Sequence, residues 1–427
     1  MHAARGLIGI AALLFIAWLL SSDRKRFPFK TVIAALALQW LLALIVLKTA
    51  PGQAFFDGVA HIVTAVLAGA DAGASFVFGP LAGGDPGVWW PAIAGIKIMT
   101  TIIIVAVISA VGYHYGLLQR VVSGMAWIMK RAMGLSGAEA LSGAANVFFG
   151  QTEAPLLVRP YISGMTRSEI MALMTGGFAT VAAGVMAVYV EMIGRGDPEK
   201  MVATARHLMT AALMSAPAAV AIAKIMLPER DTPQTAGTVR IAPPRDTKSF
   251  IDAATRGASE GMKLAINVIA MLIAFVALIE VADIALSALG RQAFMTPVVE
   301  AMGLSELNLD GLLGLLFAPV AYLIGIDGAD CRIFGALLGK AMATNELIAY
   351  DTLGDVIQNE AMSPRSILIA MYCLCGFANI SSIGIQIGGI GGLAPDRRDD
   401  LVRLGPRAML GGAMACWMTG CIAGILV

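Results

Sequence analysis

The sequence predicts an all-α polytopic membrane protein with eight transmembrane helices, two re-entrant helical hairpins in an inverted repeat, and amphipathic helices at the interface. Three observations predict it. Of 427 residues, 58% are hydrophobic and 14% charged, with a mean hydropathy of +0.78, outside the range of soluble domains. Apolar stretches of roughly 20 residues, enough to cross a hydrocarbon core, recur along the chain. Polar clusters interrupt the apolar sequence at Gly150–Pro155, at Asn345-Glu346 and at Asn379, Ser381 and Ser382. Such groups are costly in lipid and mark a solute site at membrane depth.

A net charge of +1 excludes a nucleic-acid partner, because no face can carry the excess of Lys and Arg that phosphate binding needs. The five cysteines, Cys331, Cys373, Cys375, Cys416 and Cys421, show no metal spacing and read as small packing residues. His61, His114 and His207 lie near span ends or on a surface helix and read as interfacial groups.

The first apolar stretch, Gly6 to Leu20, ends in Asp23-Arg24-Lys25-Arg26 without a small-residue cleavage site, so it reads as a retained span. Further spans are expected at Thr31 to Leu47, Ile96 to Tyr115, Ile170 to Val190, His207 to Leu227, Leu264 to Leu286, Ile367 to Ile390 and Ala408 to Val427. Basic residues gather in alternate loops: Arg24, Lys25, Arg26 and Lys30; Arg120, Lys130 and Arg131; Arg230, Arg240, Arg245 and Lys248; Arg397, Arg398, Arg403 and Arg407. Those loops are expected on the cytoplasmic side of a bacterial inner membrane, with both termini outside. Arg195, Lys200 and Arg206 are a local exception.

Pro228 to Lys248, rich in Pro, Thr and charge, reads as a linker between two halves. The expected division is a scaffold over residues 1–115, a first transport half over 116–249, a scaffold helix over 250–290 and a second transport half over 291–427. Gln53 to Ala74 and Gly116 to Met133 have mixed faces and read as interfacial helices, with Trp89 and Trp90 suited to the same zone.

Ser136 to Leu157 and Gly311 to Tyr350 do not fit as simple crossings if the basic loops alternate, and read as hairpins. Gly150 permits a turn, and Pro155 suits the first turn of a returning helix, where its missing N–H costs nothing. Each hairpin leads into a helix carrying a similar cluster, Gly177-Phe178-Ala179-Thr180 and Gly376-Phe377-Ala378-Asn379. The first of these helices opens with Thr166-Arg167-Ser168-Glu169, at capping-box spacing, and the second with Ser363-Pro364. Glu153 and Glu346 hold corresponding places, and an odd number of crossings between the hairpins inverts the second unit.

The ordered motifs carry a specific likeness. Asn146 through Leu157, Met174 through Thr180, Asn345-Glu346 with Ala349-Tyr350, and Cys375 through Ile383 resemble the concentrative nucleoside transporter family, from about Tyr115 to the C terminus. The first two spans match only in number and hydrophobicity. The resemblance implies a homotrimer in the lipid bilayer, a static scaffold, a transport domain moving as an elevator, and nucleoside uptake driven by a cation gradient. It implies that Gln151 and Thr152 hydrogen-bond the nucleobase with Glu153 in support, that Glu346, Asn379 and Ser382 take the ribose hydroxyls, and that Phe377 and Val185 pack against the ligand. It places sodium, the coupling ion, at the side chains of Asn146 and Thr180 and the carbonyls of Phe149 and Val181. One departure is Ala183-Gly184, where relatives often read Gly-Ser.

The residue types agree with those roles. A nucleoside is neutral, its base offers donors and acceptors, and its sugar offers hydroxyls; Gln both donates and accepts, while ionised Glu accepts from two hydroxyls. The first hairpin tip has no basic cluster for an anion, and Arg332 and Lys340 in the second read as counter-ions to a buried acid or as interface anchors. Each group also has a structural role to set against the functional one: Glu153 as a helix cap, Glu346 as the partner of Lys340, and Asn379 with Ser382 as caps at a helix break. Proton coupling, transport of another polar neutral solute, or a channel remain as readings beside sodium symport. A membrane-embedded hydrolase using Glu153 and Glu346 is the weakest, because no Ser-His or Cys-His arrangement accompanies them.

Overall fold

The computed structural model describes residues 2–82, 94–195, 197–236 and 247–427, and regular structure in those segments is helical throughout. Trp89, Trp90, Arg240 and Arg245, to which the sequence assigns interfacial and cytoplasmic places, lie outside the described residues. The chain begins with α1 (His2–Leu19), α2 (Phe29–Lys48), α3 (Ala50–Phe78) and α4 (Ala94–His114). The expected interfacial segment from Gln53 to Ala74 is the middle of α3, a 29-residue helix long and apolar enough to cross a membrane.

The first repeat comprises α5 (Leu117–Met133), α6 (Gly137–Ala145), α7 (Ala154–Leu157), α8 (Arg159–Ile162), α9 (Arg167–Ala179), α10 (Ala183–Gly194) and α11 (Pro198–Met226). After α12 (Phe250–Gly290) and α13 (Thr296–Ala301), the second comprises α14 (Leu309–Ile324), α15 (Cys331–Ala343), α16 (Glu346–Gln358), α17 (Pro364–Cys373), α18 (Ile380–Leu393) and α19 (Arg398–Leu426). Each repeat thus runs in the order leading helix, two hairpin limbs, broken helix and a final helix of 29 residues.

The expected breaks are present. The first hairpin turns between α6 and α7, with Pro155 in the first turn of the returning limb, which continues through α8 to Ile162. Thr166 caps α9 in a reciprocal capping box with Glu169, and Ser363 caps α17 ahead of Pro364. The second hairpin differs in extent. Gly311 to Tyr350 contains two interruptions, after Ile324 and after Ala343, so the limbs that flank Asn345-Glu346 are α15 and α16, and α14 is the counterpart of α5. Gly325, at φ 101°, ends α14 in a left-handed cap that an apolar run does not advertise.

The two broken helices meet at their breaks. A side chain at Gly376 would lie 2.7 Å from the Phe178 carbonyl, and one at Gly412 of α19 would collide with Phe178. The Cys416 thiol fills the junction, its Sγ 3.3 Å from the Ala179 carbonyl and 3.4 Å from that of Cys375. All five cysteines are buried as free thiols, and Cys416 also offers a weak donor to carbonyls that helix endings release.

A buried ionic cluster binds the first hairpin to the helices beneath it. Lys224, on α11, pairs with Glu139 of α6 and, at 3.1 Å, with Glu229. Ser136 donates to Glu169 at 2.6 Å and Thr166 to Glu229 at 2.9 Å, joining the capping boxes of α6 and α9. The described start of the expected linker belongs to this cluster, since the Gly137 amide donates to the Thr235 carbonyl at 2.8 Å. The basic exception, Arg195 at the end of α10 and Lys200 and Arg206 on α11, is paired with acids: Arg195 with Asp355 at 2.5 Å, Arg206 with Asp57 at 3.0 Å and Lys200 with Asp197 at 3.6 Å.

Removing the cation from the buried cluster leaves two carboxylates without their counter-ion. Lys224→Met is expected to cost about 3–5 kcal/mol, read as a lower thermal midpoint of the detergent-purified protein. An unchanged midpoint would show that the cluster does not hold the hairpin base.

Candidate functional site

The second hairpin turn is built on Asn345, whose side-chain oxygen accepts from the Ile348 amide at 3.1 Å and caps α16. Glu346 follows at the helix N-terminus, where the dipole favours a carboxylate. Its side chain is 3% exposed. Oε1 accepts from the Tyr189 hydroxyl at 3.0 Å and Oε2 from Asn379 Nδ2 at 2.7 Å. Lys340 is not its partner: the ammonium pairs with Asp310 at 2.9 Å and donates to Thr352 at 3.2 Å. Arg332 donates to the Met302 and Gly303 carbonyls. Tyr189 stacks on Tyr350 at 4.1 Å, and Tyr350 donates to the Met371 carbonyl at 2.8 Å, so the acid's donor is itself held.

Asn379 performs the capping role considered for it and also holds Glu346. Its oxygen caps α18, accepting from the Ser382 amide at 2.8 Å and the Ser381 hydroxyl at 2.7 Å, which leaves its amide nitrogen for Glu346. Ser382 accepts from Gln151 Nε2 at 3.0 Å. Glu346, Asn379, Ser382 and Gln151 therefore form one chain of hydrogen bonds spanning both hairpins and the second broken helix.

Thr152 and Glu153 are exposed at the first hairpin turn. Glu153 stands at the capping position of α7 but makes no side-chain cap bond, so capping does not explain its carboxylate. Val185 is buried in α10, four residues before Tyr189, and Phe377 is half-buried in the break before α18. Gly184, at the departure from the family pattern, faces Val105 of α4 at 3.8 Å, where an added side chain meets ordinary contact.

The expected ion ligands cluster at the ends of α6 and α9. Asn146 ends α6 with both amide atoms buried and without a hydrogen-bond partner among the described residues. Leaving such groups unpaired costs about 1–3 kcal/mol each, so the site is poised for a ligand. Thr180 ends α9 in extended geometry, its hydroxyl donating to the Gly176 carbonyl at 2.9 Å. Phe149 and Val181 are buried beside these termini. Neutral amide, hydroxyl and carbonyl oxygens suit a hard cation of low charge, so the residues present fit sodium.

Sequence reasoning missed Tyr189 and Gln386. Both sit one helical turn beyond an expected site residue, Tyr189 after Val185 and Gln386 after Ser382, and that spacing was the available signal.

Three family models cover most of the chain: the C-terminal model of the Na+ dependent nucleoside transporter matches residues 207–424, its N-terminal model 8–81, and a nucleoside-recognition gate model 95–196. The chain belongs to the concentrative nucleoside transporter family. The likeness takes in the first two spans, where the sequence offered only number and hydrophobicity. An uncharacterized transporter of Haemophilus influenzae is 39% identical over 436 residues, covering 100% of this chain and 98% of that protein. Mouse solute carrier family 28 member 3 is 35% identical over 98% of this chain, which spans 58% of the mouse protein's length. The structure of CNTnw in an inward-facing substrate-bound state matches with a TM-score of 0.89 at 34% identity, covering 100% of this chain and 99% of that one. A CNTnw variant in an outward-facing state matches with a TM-score of 0.88, also at 34% identity and covering 100% and 98%. The family and the matching folds are those of membrane transporters, not of enzymes.

Two substitutions probe this geometry. Tyr189→Phe keeps the stack on Tyr350 but removes a donor to Glu346, and is expected to weaken nucleoside affinity about tenfold, measured by calorimetric titration; wild-type affinity would detach Tyr189 from the site. Gly176→Ala would place a methyl 2.8 Å from Asn146 Nδ2 and is expected to raise the sodium concentration needed for half-maximal transport. An unaltered sodium dependence would remove Asn146 from the ion site.

Proposed function

We propose that this chain is a sodium-coupled nucleoside symporter that imports nucleosides across a bacterial inner membrane, with both termini outside. Gln151 and Thr152, supported by Glu153, bind the base; Glu346, Asn379 and Ser382 bind the ribose; Val185 and Phe377 pack against the ligand. Sodium is held by Asn146 and Thr180 with the carbonyls of Phe149 and Val181. The observation that carries this reading is the continuous hydrogen-bonded chain from Glu346 through Asn379 and Ser382 to Gln151. It sets a strong acceptor, suited to vicinal hydroxyls, at one end and an amide, suited to a base edge, at the other.

Transport proceeds as an elevator. Residues 116–249 and 291–427 supply the moving unit, whose parts the Tyr189–Glu346 and Arg195–Asp355 contacts tie together. Residues 1–115 and 250–290 supply the static scaffold. The 41-residue α12, apolar and with few fully buried residues in the single chain, supports a homotrimer in which scaffold helices meet partner copies and lipid.

The test is uptake of radiolabelled uridine and adenosine into proteoliposomes under an inward sodium gradient, a matched potassium gradient or an imposed pH gradient. Sodium-dependent accumulation is expected, and Glu346→Gln is expected to abolish it, because the new amide donates where the carboxylate accepts. Accumulation driven by protons alone would keep the nucleoside site and overturn the ion. Failure with both nucleosides would overturn the substrate.

A further inference from the structure

Gln386 lies on α18 one turn beyond Ser382 and is fully buried. Its Nε2 is 3.1 Å from the Met174 carbonyl of α9 and 3.1 Å from Gln151 Oε1. A backbone carbonyl only accepts, so the edge of Gln386 facing Met174 is its NH2. One proton of that group goes to Met174 and the other to Gln151. The Gln151 amide must then turn its carbonyl toward Gln386, and its own NH2 falls to Ser382. Rotating Gln151 by half a turn would set NH2 against NH2. A main-chain carbonyl therefore dictates, through Gln386, the orientation of an amide at the first hairpin turn.

Packing alone does not account for this side chain. Gln386 Oε1 has no hydrogen-bond partner among the described residues, an unfavourable burial that an apolar residue would avoid. The neighbouring helix also makes room for the arrangement. A side chain at Gly177 would lie 2.8 Å from Gln386 Nε2 and 3.0 Å from Gln151 Cβ.

We propose that Gln386 is a positioning residue that sets base selectivity, by fixing where the Gln151 amide presents its remaining donor and its remaining acceptor. The proposal rests on the nucleoside reading above and deepens it. Cytosine carries an amino donor where uracil carries a carbonyl acceptor, and adenine carries an amino group where hypoxanthine carries a carbonyl. A fixed amide matches one member of such a pair and opposes the other with a like group, and discrimination of that kind is strong because the wrong ligand leaves buried groups unpaired. An amide free to rotate accepts both.

The test measures equilibrium binding of uridine, cytidine, adenosine and inosine to the purified full chain in sodium, with 2′-deoxyuridine to report ribose recognition. The wild-type protein is expected to separate the amino and keto members of at least one pair by about tenfold or more. Gln386→Leu is expected to bring that ratio to within about twofold while leaving the uridine to 2′-deoxyuridine ratio unchanged, since the ribose groups keep their own partners. Gly177→Ala, which disturbs the relay from the opposite side, is expected to do the same and carries the comparison should Gln386→Leu fail to fold. A variant that keeps the wild-type amino-to-keto ratio, or weakens all ligands equally, overturns the proposal. So does a wild-type protein that binds both members of each pair alike. A wild-type protein that binds none of the nucleosides overturns the underlying substrate reading instead.

Discussion

A helix that stops inside an apolar slab strands amides and carbonyls that no water can reach, and each one left unsatisfied costs several kcal/mol. This chain stops helices there repeatedly, at the tips of both hairpins and in the middle of α9–α10 and α17–α18. The side chains that resolve the stranded groups are those around which the site is built. Asn379 caps α18 with its oxygen and holds Glu346 with its nitrogen. Asn345 caps α16 and so brings Glu346 to a helix N-terminus. Cys416 covers carbonyls released at both breaks. Capping and the proposed binding use one arrangement, which accounts for polar residues in such apolar surroundings.

The same constraint places the proposed ion and base sites on one short segment. Asn146 and Gln151 flank the turn of the first hairpin, and each rests on one of two consecutive glycines of α9. A side chain at Gly176 would meet Asn146, and one at Gly177 would meet Gln151 and Gln386. A shift of α9 against the hairpin is therefore felt at both sites together. On the proposed assignment, that shared support is a physical route by which a cation at Asn146 would order the base contact, without a wire of intermediate residues.

Much of this was legible in the residues. The capping box at Thr166, the Ser363-Pro364 start, Pro155 in a returning helix and the paired Gly-Phe-Ala motifs marked local events that depend on near neighbours. What escaped notice were partnerships across the chain. Tyr189 reaches Glu346 over 157 positions and Gln386 reaches Gln151 over 235, and the one-turn spacing from Val185 and Ser382 points to a shared helix face without naming either distant partner. Lys224 stands in the apolar second half of α11, and Ser136-x-x-Glu139 has capping-box spacing, yet only packing brings them into one cluster. The extent of the second hairpin was misread because α14 ends at Gly325 within a run that is apolar on both sides, so the sequence concealed an extra break. That Tyr189 and Asn379, rather than Lys340, neighbour Glu346 likewise rests on geometry.

The central claim is that nucleoside and sodium bind to one mechanically linked unit, and equilibrium linkage tests it most directly. Nucleoside affinity of the purified protein would be titrated in sodium and in potassium at equal ionic strength, and sodium affinity with and without nucleoside. The account predicts that sodium tightens nucleoside binding about tenfold or more and that nucleoside tightens sodium binding by the same factor, as reciprocity requires. Identical nucleoside affinity in the two salts would contradict it.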